Sequence, residues 1–144
     1  MRRLRLVLAW VVLVVAAVAW NGAVHLVLLR STHDAVRQLL RPALAGKLWL
    51  SLAGTAATLS LFVWGYTRFA RDRSLGEGLR YGFFFGVLAG LLVDVNQYVL
   101  YPIPAWVAAS WFAGGLAEFL LYGALATRLV PSDAGGVAEV SHAS

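Results

Sequence analysis

Four long apolar stretches divide this chain, and short segments between them carry most of its basic residues. The stretches cover residues 4–29, 48–67, 81–101 and 103–127. Each is close to the ~20 apolar residues that an α-helix needs to cross the hydrocarbon core of a bilayer. The pattern therefore predicts an all-α, polytopic membrane protein whose residues 1–130 form a single bundle of four transmembrane helices.

The third and fourth stretches are separated only by the segment Tyr101-Pro102-Ile103-Pro104. Two prolines within three residues cannot continue a regular helix, because proline lacks an amide hydrogen and restricts the residue before it. We therefore predict a tight turn here, which makes helices three and four an antiparallel helical hairpin.

The first stretch has two interpretations. Basic residues followed by an apolar run and by Ala17-Val18-Ala19 resemble a secretory signal with its cleavage site. The run continues to Leu29, however, which suits a spanning helix, and we favour a helix that is retained. Cleavage would leave three helices.

The segments outside the four stretches are short. In the loop 30–47, Thr32 is a candidate cap for a helix that starts near His33, and apolar residues then recur at helical spacing. A short amphipathic helix in the membrane interface and an ordinary loop both fit this pattern. Residues 131–144 are mostly small or polar and are predicted to be a disordered tail.

Composition supports the membrane assignment and narrows the chemistry. Of the 144 residues, 60% are hydrophobic and 13% charged, whereas a soluble domain is about half apolar and about a quarter charged. The chain has no cysteine, which excludes disulfides and thiol catalysis. The net charge is +5, and the basic residues lie mainly between the apolar stretches. This arrangement favours contact with anionic lipid head groups over binding of nucleic acid.

The distribution of Lys and Arg predicts the orientation. Eight basic residues lie on one side of the predicted bundle and four on the other. The first group comprises Arg2, Arg3, Arg5, Arg68, Arg71, Arg73, Arg80 and Arg128, and the second Arg30, Arg37, Arg41 and Lys47. This bias favours an orientation with both termini in the cytoplasm.

Helix three carries glycines at every fourth position, namely Gly78, Gly82, Gly86 and Gly90, and the same register continues through Asp94, Tyr98 and Pro102. Residues four apart share one face of a helix. A glycine face of this GxxxG type allows another helix to approach closely in lipid. We predict close helix packing there, against either a helix of the same chain or a second copy.

Asp94 and Glu118 are the only acidic residues within the four stretches. A charged group at the bilayer centre costs at least ~2.5 kcal/mol and is expected to face the bundle interior or water. Helical rise places Asp94 about 12 Å and Glu118 about 21 Å from the proline turn, so no carboxylate pair is expected.

Matching depths predict a polar intramembrane cluster. Its predicted members are Asn21, His25, Thr55, Asp94 and Gln97. Glu118 is expected deeper in the membrane, with Thr58 as its neighbour from helix two.

Two functions fit these residues. If the polar residues are hydrogen-bonding groups that hold helices together, the chain is a structural or accessory membrane protein, self-associating or partnered through its glycine face. This is our leading interpretation. The alternative is a small proton- or ion-coupled transporter or channel that uses Asp94, Glu118 and His25. The sequence contains no metalloprotease, phosphate-loop or dinucleotide motif, so we expect no catalytic activity, metal or cofactor.

The second half of the chain carries a resemblance to a known group. Gly82, Gly86 and Gly90, the 101–104 turn, and then Trp111, Gly114, Gly115 and Glu118 follow one another in a pattern that resembles small uncharacterised four-helix bacterial inner-membrane proteins. The resemblance implies the same membrane and the same architecture, and it carries no activity.

Overall fold

The computed structural model describes residues 2–24, 30–39 and 44–130, and within these ranges it contains helices and no strand. Four helical segments are long and apolar enough to cross a membrane, which confirms the predicted all-α, four-helix, multi-pass architecture. The helices are α1 (Arg2–Ala23), α2 (Arg30–Val36), α3 (Leu48–Phe69), α4 (Leu75–Gly90), α5 (Asn96–Leu100) and α6 (Ala105–Leu129). A π-helical turn, Leu91–Val95, joins α4 to α5 in one continuous span, and 3-10 turns cover Arg37–Leu39 and Leu44–Lys47.

The helix boundaries differ from the prediction in several places, and α1 begins at Arg2 rather than at residue 4. The third span begins at Leu75 rather than at residue 81, because the Ser74 hydroxyl accepts a hydrogen bond from the Glu77 amide and caps the helix. The fourth begins at Ala105, directly after Pro104, and not at residue 103. The second extends to Phe69. Residues 25–29 of the predicted first span and the predicted 131–144 tail lie outside the described residues.

The predicted cap at Thr32 is wrong, because Thr32 lies inside α2 and not before it. Its side chain is buried at 1% exposure, and its hydroxyl accepts a hydrogen bond of 3.3 Å from Nε1 of Trp111. Val36, at the end of the same helix, packs with Ile103 and Val107. The segment 30–39 is therefore attached to the first turns of α6.

The bundle packs tightly at one end, which contains residue 2, the turn between α3 and α4, and the end of α6; we call it the basic end. A buried cluster joins α1, α3 and α6 there, made of Ala9, Leu13, Ala17, Leu59, Phe62, Val63, Tyr66, Phe119, Tyr122, Ala126 and Val130. The ring of Phe62 lies 4.8 Å from that of Tyr81, whose hydroxyl donates a hydrogen bond of 3.0 Å to the Phe62 carbonyl. These contacts bring α4 against α3.

The opposite end, which contains the 101–104 turn, is packed more loosely; we call it the proline end. Every residue of α3 from 48 to 54 is exposed at this end, and Trp49 is 64% exposed. An apolar side chain is as stable in contact with lipid as in contact with another apolar side chain. Membrane helices therefore lack the hydrophobic force that closes soluble bundles. The helices are consequently free to leave cavities between them in this half.

The glycine face of the third span packs against α6 of the same chain. Gly78, Gly82, Gly86 and Gly90 are all buried. A methyl group at Gly82 would lie 2.9 Å from the carbonyl carbon of Phe119 and 3.1 Å from Cα of Leu120. The partner that the sequence left open is therefore intramolecular, and a second chain cannot use this face while α6 occupies it.

Candidate functional site: an intramembrane carboxylate cavity

Four of the predicted polar residues line one cavity of about 370 Å³ between α1, the third span and α6. They are Asn21, Asp94, Gln97 and Glu118. The indole rings of Trp20 and Trp111 complete its walls, and we call this space the carboxylate cavity. Space is available because small residues form part of the lining, namely Ala89, Gly90, Gly114 and Gly115.

The π-helical turn Leu91–Val95 lies in the wall of this cavity. A π turn closes its hydrogen bonds over five residues instead of four. Asp94, inside the turn, and Gln97, just after it, both line the cavity. Tyr98 is 49% exposed and lies with Asp94 beside Phe112 of α6. Such turns are frequent at functional sites.

Glu118 receives hydrogen bonds from two helices. Nδ2 of Asn21 donates to Oε1 of Glu118 over 2.8 Å and also donates to the Ala17 carbonyl over 2.9 Å. The hydroxyl of Tyr122, one turn along α6, donates to the same Oε1. The expected neighbour Thr58 is wrong, because the Thr58 side chain is exposed and the partner comes from α1.

Asp94 differs from Glu118 in having no hydrogen-bond or ion-pair partner among the described residues. The amide of Gln97 likewise forms no side-chain hydrogen bond within that part of the chain. Both side chains are half-buried in the lining of the carboxylate cavity. The carboxylate of Asp94 and the amide of Gln97 are thus in the cavity lining without a hydrogen bond from the other described residues.

Two predicted members of the cluster are placed differently. Thr55 lines a separate cavity of about 240 Å³ between α1 and α3, with Asn21 at the boundary of both spaces. His25 lies outside the described residues. The structure therefore brings Asn21, Asp94, Gln97 and Glu118 together and separates Thr55 from them.

A second, larger cavity adjoins the carboxylate cavity on the side of the proline end. It measures about 690 Å³, and eight of its ten lining residues are apolar or aromatic, including Leu39, Leu92 and Ile103, while Asn96 and Gln97 add polar surface; we call it the apolar cavity. Val93, Gln97 and Trp111 line both cavities. The two spaces are therefore neighbours, and the apolar cavity is the one nearer the proline end.

Sequence reasoning missed the two indoles and the pairing of Glu118 with Asn21. Tyr122 carried a usable signal, since a residue four positions after Glu118 shares its helix face. The tryptophans carried none, because an aromatic residue in a membrane helix is as suited to lipid as to a cavity wall.

Comparison with protein-family models, with curated proteins and with solved structures found no match. The resemblance to small four-helix inner-membrane proteins stays a prediction, and the functional argument rests on the geometry alone.

Proposed function

We propose that this chain is a small transporter that binds a cation in the carboxylate cavity, the second of the two functions that fit the sequence. The observation that supports it is the meeting of both intramembrane carboxylates, Asp94 and Glu118, on one cavity. The described lining residues include no Lys or Arg, so the charges of the cavity wall favour a positively charged occupant.

The unpartnered state of Asp94 supports binding over a purely structural role. A carboxylate that holds helices together is expected to have donors from neighbouring helices, as Glu118 has. Asp94 has none among the described residues. Because an intramembrane carboxylate is costly to keep, one without such a structural partner favours a role in binding.

The closed basic end supports a transporter over an open pore. Rings of Phe62, Tyr81, Phe85, Phe119 and Tyr122 contact one another between the carboxylate cavity and the basic end, with centroid distances of 4.8–6.2 Å for the pairs around Phe62. These rings separate the carboxylate cavity from the basic end, which is expected of a site in one access state of an alternating cycle.

The second candidate remains the structural or accessory role, and the Glu118 contacts favour it. Asn21 and Tyr122 both donate to Glu118, and the Asn21 bond ties α1 to α6 across the cavity. Any self-association in this role would use a face other than the glycine row, since α6 already covers that row.

Location and orientation belong to the same proposal. We place the protein in the cell inner membrane, as its resemblance to small inner-membrane proteins implies. We place the basic end in the cytoplasm, because the excess of Arg lies at that end. The carboxylate cavity then opens in the outer half of the bilayer. Tagging each terminus and testing its access to a membrane-impermeant label checks the orientation.

Flux through the purified protein tests the proposal. Proteoliposomes containing the full chain are given a potassium diffusion potential, and proton or monovalent-cation flux is followed with an internal pH-sensitive dye and radioactive tracers. We expect Asp94→Asn and Glu118→Gln to lower the flux at least tenfold. Asp72→Asn, which removes a carboxylate from the exposed turn between α3 and α4, is the matched control and should leave it unchanged.

The opposite result would favour the accessory role. In that case the wild-type protein moves none of these ions, and the variants of Asp94 and Glu118 unfold more easily in detergent.

A further inference from the structure

The size of the carboxylate cavity bears on what it binds. A proton transferred between carboxylates needs no cavity, and magnesium or calcium draws oxygen ligands to within about 2.0–2.6 Å. The observed space of about 370 Å³ is far larger than such a shell and falls within the range of small-molecule sites. Its dimensions favour an organic occupant over a bare inorganic ion.

The walls of the carboxylate cavity combine negative charge with aromatic surface. Asp94 and Glu118 supply the carboxylates, and Trp20 and Trp111 supply indole rings. A cation over the face of an indole is attracted by the negative face of the ring, and desolvated sites strengthen this attraction. Quaternary and other alkylammonium groups are suited to such a site because they carry charge without a tightly held water shell.

The adjoining apolar cavity gives the occupant a second part. It measures about 690 Å³ and meets the carboxylate cavity along Val93, Gln97 and Trp111. Leu39 and Leu92 line it, and it is continuous with the proline end rather than with the basic end. An alkyl chain attached to a cation at Asp94 would have its natural place there.

We infer that the protein binds an amphipathic monovalent organic cation, with its positive nitrogen at Asp94 and Glu118 and its alkyl part in the apolar cavity. The inference names the substrate class of the proposed transporter and rests on that proposed function. Charge complementarity selects the head group, and the apolar volume selects the length of the tail.

Binding of a homologous series to the full chain in phosphatidylcholine nanodiscs tests this inference. The probes are butyltrimethylammonium and octyltrimethylammonium, with octanol as the neutral and octyl sulfate as the anionic counterpart. Calorimetric titrations are corrected with empty nanodiscs. Each methylene group transferred from water to an apolar site is worth up to about fourfold in affinity, so we expect the octyl cation to bind at least tenfold more tightly than the butyl cation.

Two variants separate the head-group site from the tail site. Asp94→Asn should weaken both cations at least fivefold. Leu92→Phe adds a ring to the lining of the apolar cavity alone and should reduce the advantage of the octyl cation while it leaves the butyl cation within twofold. Leu91→Phe is the matched control, since Leu91 belongs to the same π turn, is 53% exposed, and lines neither cavity.

The outcomes distinguish this inference from the proposed function. If octanol or octyl sulfate binds as tightly as the octyl cation, or if tail length has no effect on affinity, the inferred substrate class is wrong. Proton or inorganic-cation flux that depends on Asp94 would then leave the transporter proposal standing. If neither organic binding nor any ion flux is found, both proposals fall. The wild-type series decides the matter even if a variant does not fold.

Discussion

Replacing Gly82 with alanine tests how closely α4 and α6 approach. The added methyl group would lie 2.9 Å from the carbonyl carbon of Phe119, 3.1 Å from Cα of Leu120, and nearer still to the Phe119 oxygen. Carbon atoms normally approach to about 3.5–4.0 Å. All three obstructing atoms belong to the α6 backbone, so no side-chain rotation relieves the clash and the helices must separate by about 0.5–1 Å.

The expected magnitude follows from two opposing terms. Overpacking costs typically about 1–3 kcal/mol, and the upper value applies here because the obstruction is backbone. Alanine is favoured over glycine in a helix by about 1 kcal/mol. The net loss in the free energy of unfolding should therefore be about 2 kcal/mol, or roughly 30-fold in the unfolding equilibrium.

Unfolding in mixed micelles of rising dodecyl sulfate content, followed by circular dichroism, measures this loss. Gly54→Ala is the matched control, because a methyl group there meets nothing within 4 Å, and it should be neutral or stabilising. Gly90→Ala should cost less than Gly82→Ala, since it meets the ring of Phe112, which can rotate. If Gly82→Ala and Gly54→Ala behave alike, the close approach of the two backbones is refuted.

Three further changes test separate parts of the structure. Asn21→Leu removes the donor that α1 supplies to Glu118, leaves Tyr122 as its donor, and should lower the free energy of unfolding by about 1–3 kcal/mol, measured in the same micelles; an unchanged free energy would contradict a stabilising bond between α1 and α6. Glu77→Gln neutralises the acceptor of two backbone amides in the turn before α4 and should increase amide hydrogen exchange there, which an unchanged rate would contradict. The backbone amide and hydroxyl of Ser74 hold the pKa of Asp72 below its usual range. The ionised Asp72 therefore stabilises the fold at neutral pH, and this contribution is lost as pH falls through the lowered pKa. Asp72→Asn should remove that part of the acid dependence of unfolding, and a pH profile identical to that of the wild type would refute it.

The third span shows which features could be predicted from the sequence and which could not. Its glycine face was visible in the sequence, because a four-residue repeat of side-chain-free positions has one physical use in lipid. Its start at Leu75 was missed, although Ser74 and Glu77 have the spacing of a capping box. The π turn at Leu91–Val95 was not readable, because nothing in that apolar sequence distinguishes an α turn from a π turn.

By itself the sequence determined the solvent of this protein, the number of its membrane spans, the helical hairpin and the two carboxylates that a bilayer makes costly. These follow from the length of apolar runs, from proline and from charge, which act locally along the chain. Only the tertiary structure decided that Glu118 pairs with Asn21, that Thr55 is separated from Asp94, and that cavities open in the proline-end half. The rotation and tilt of each helix set these features, and in lipid they depend on small differences in packing between helices that hydropathy does not encode.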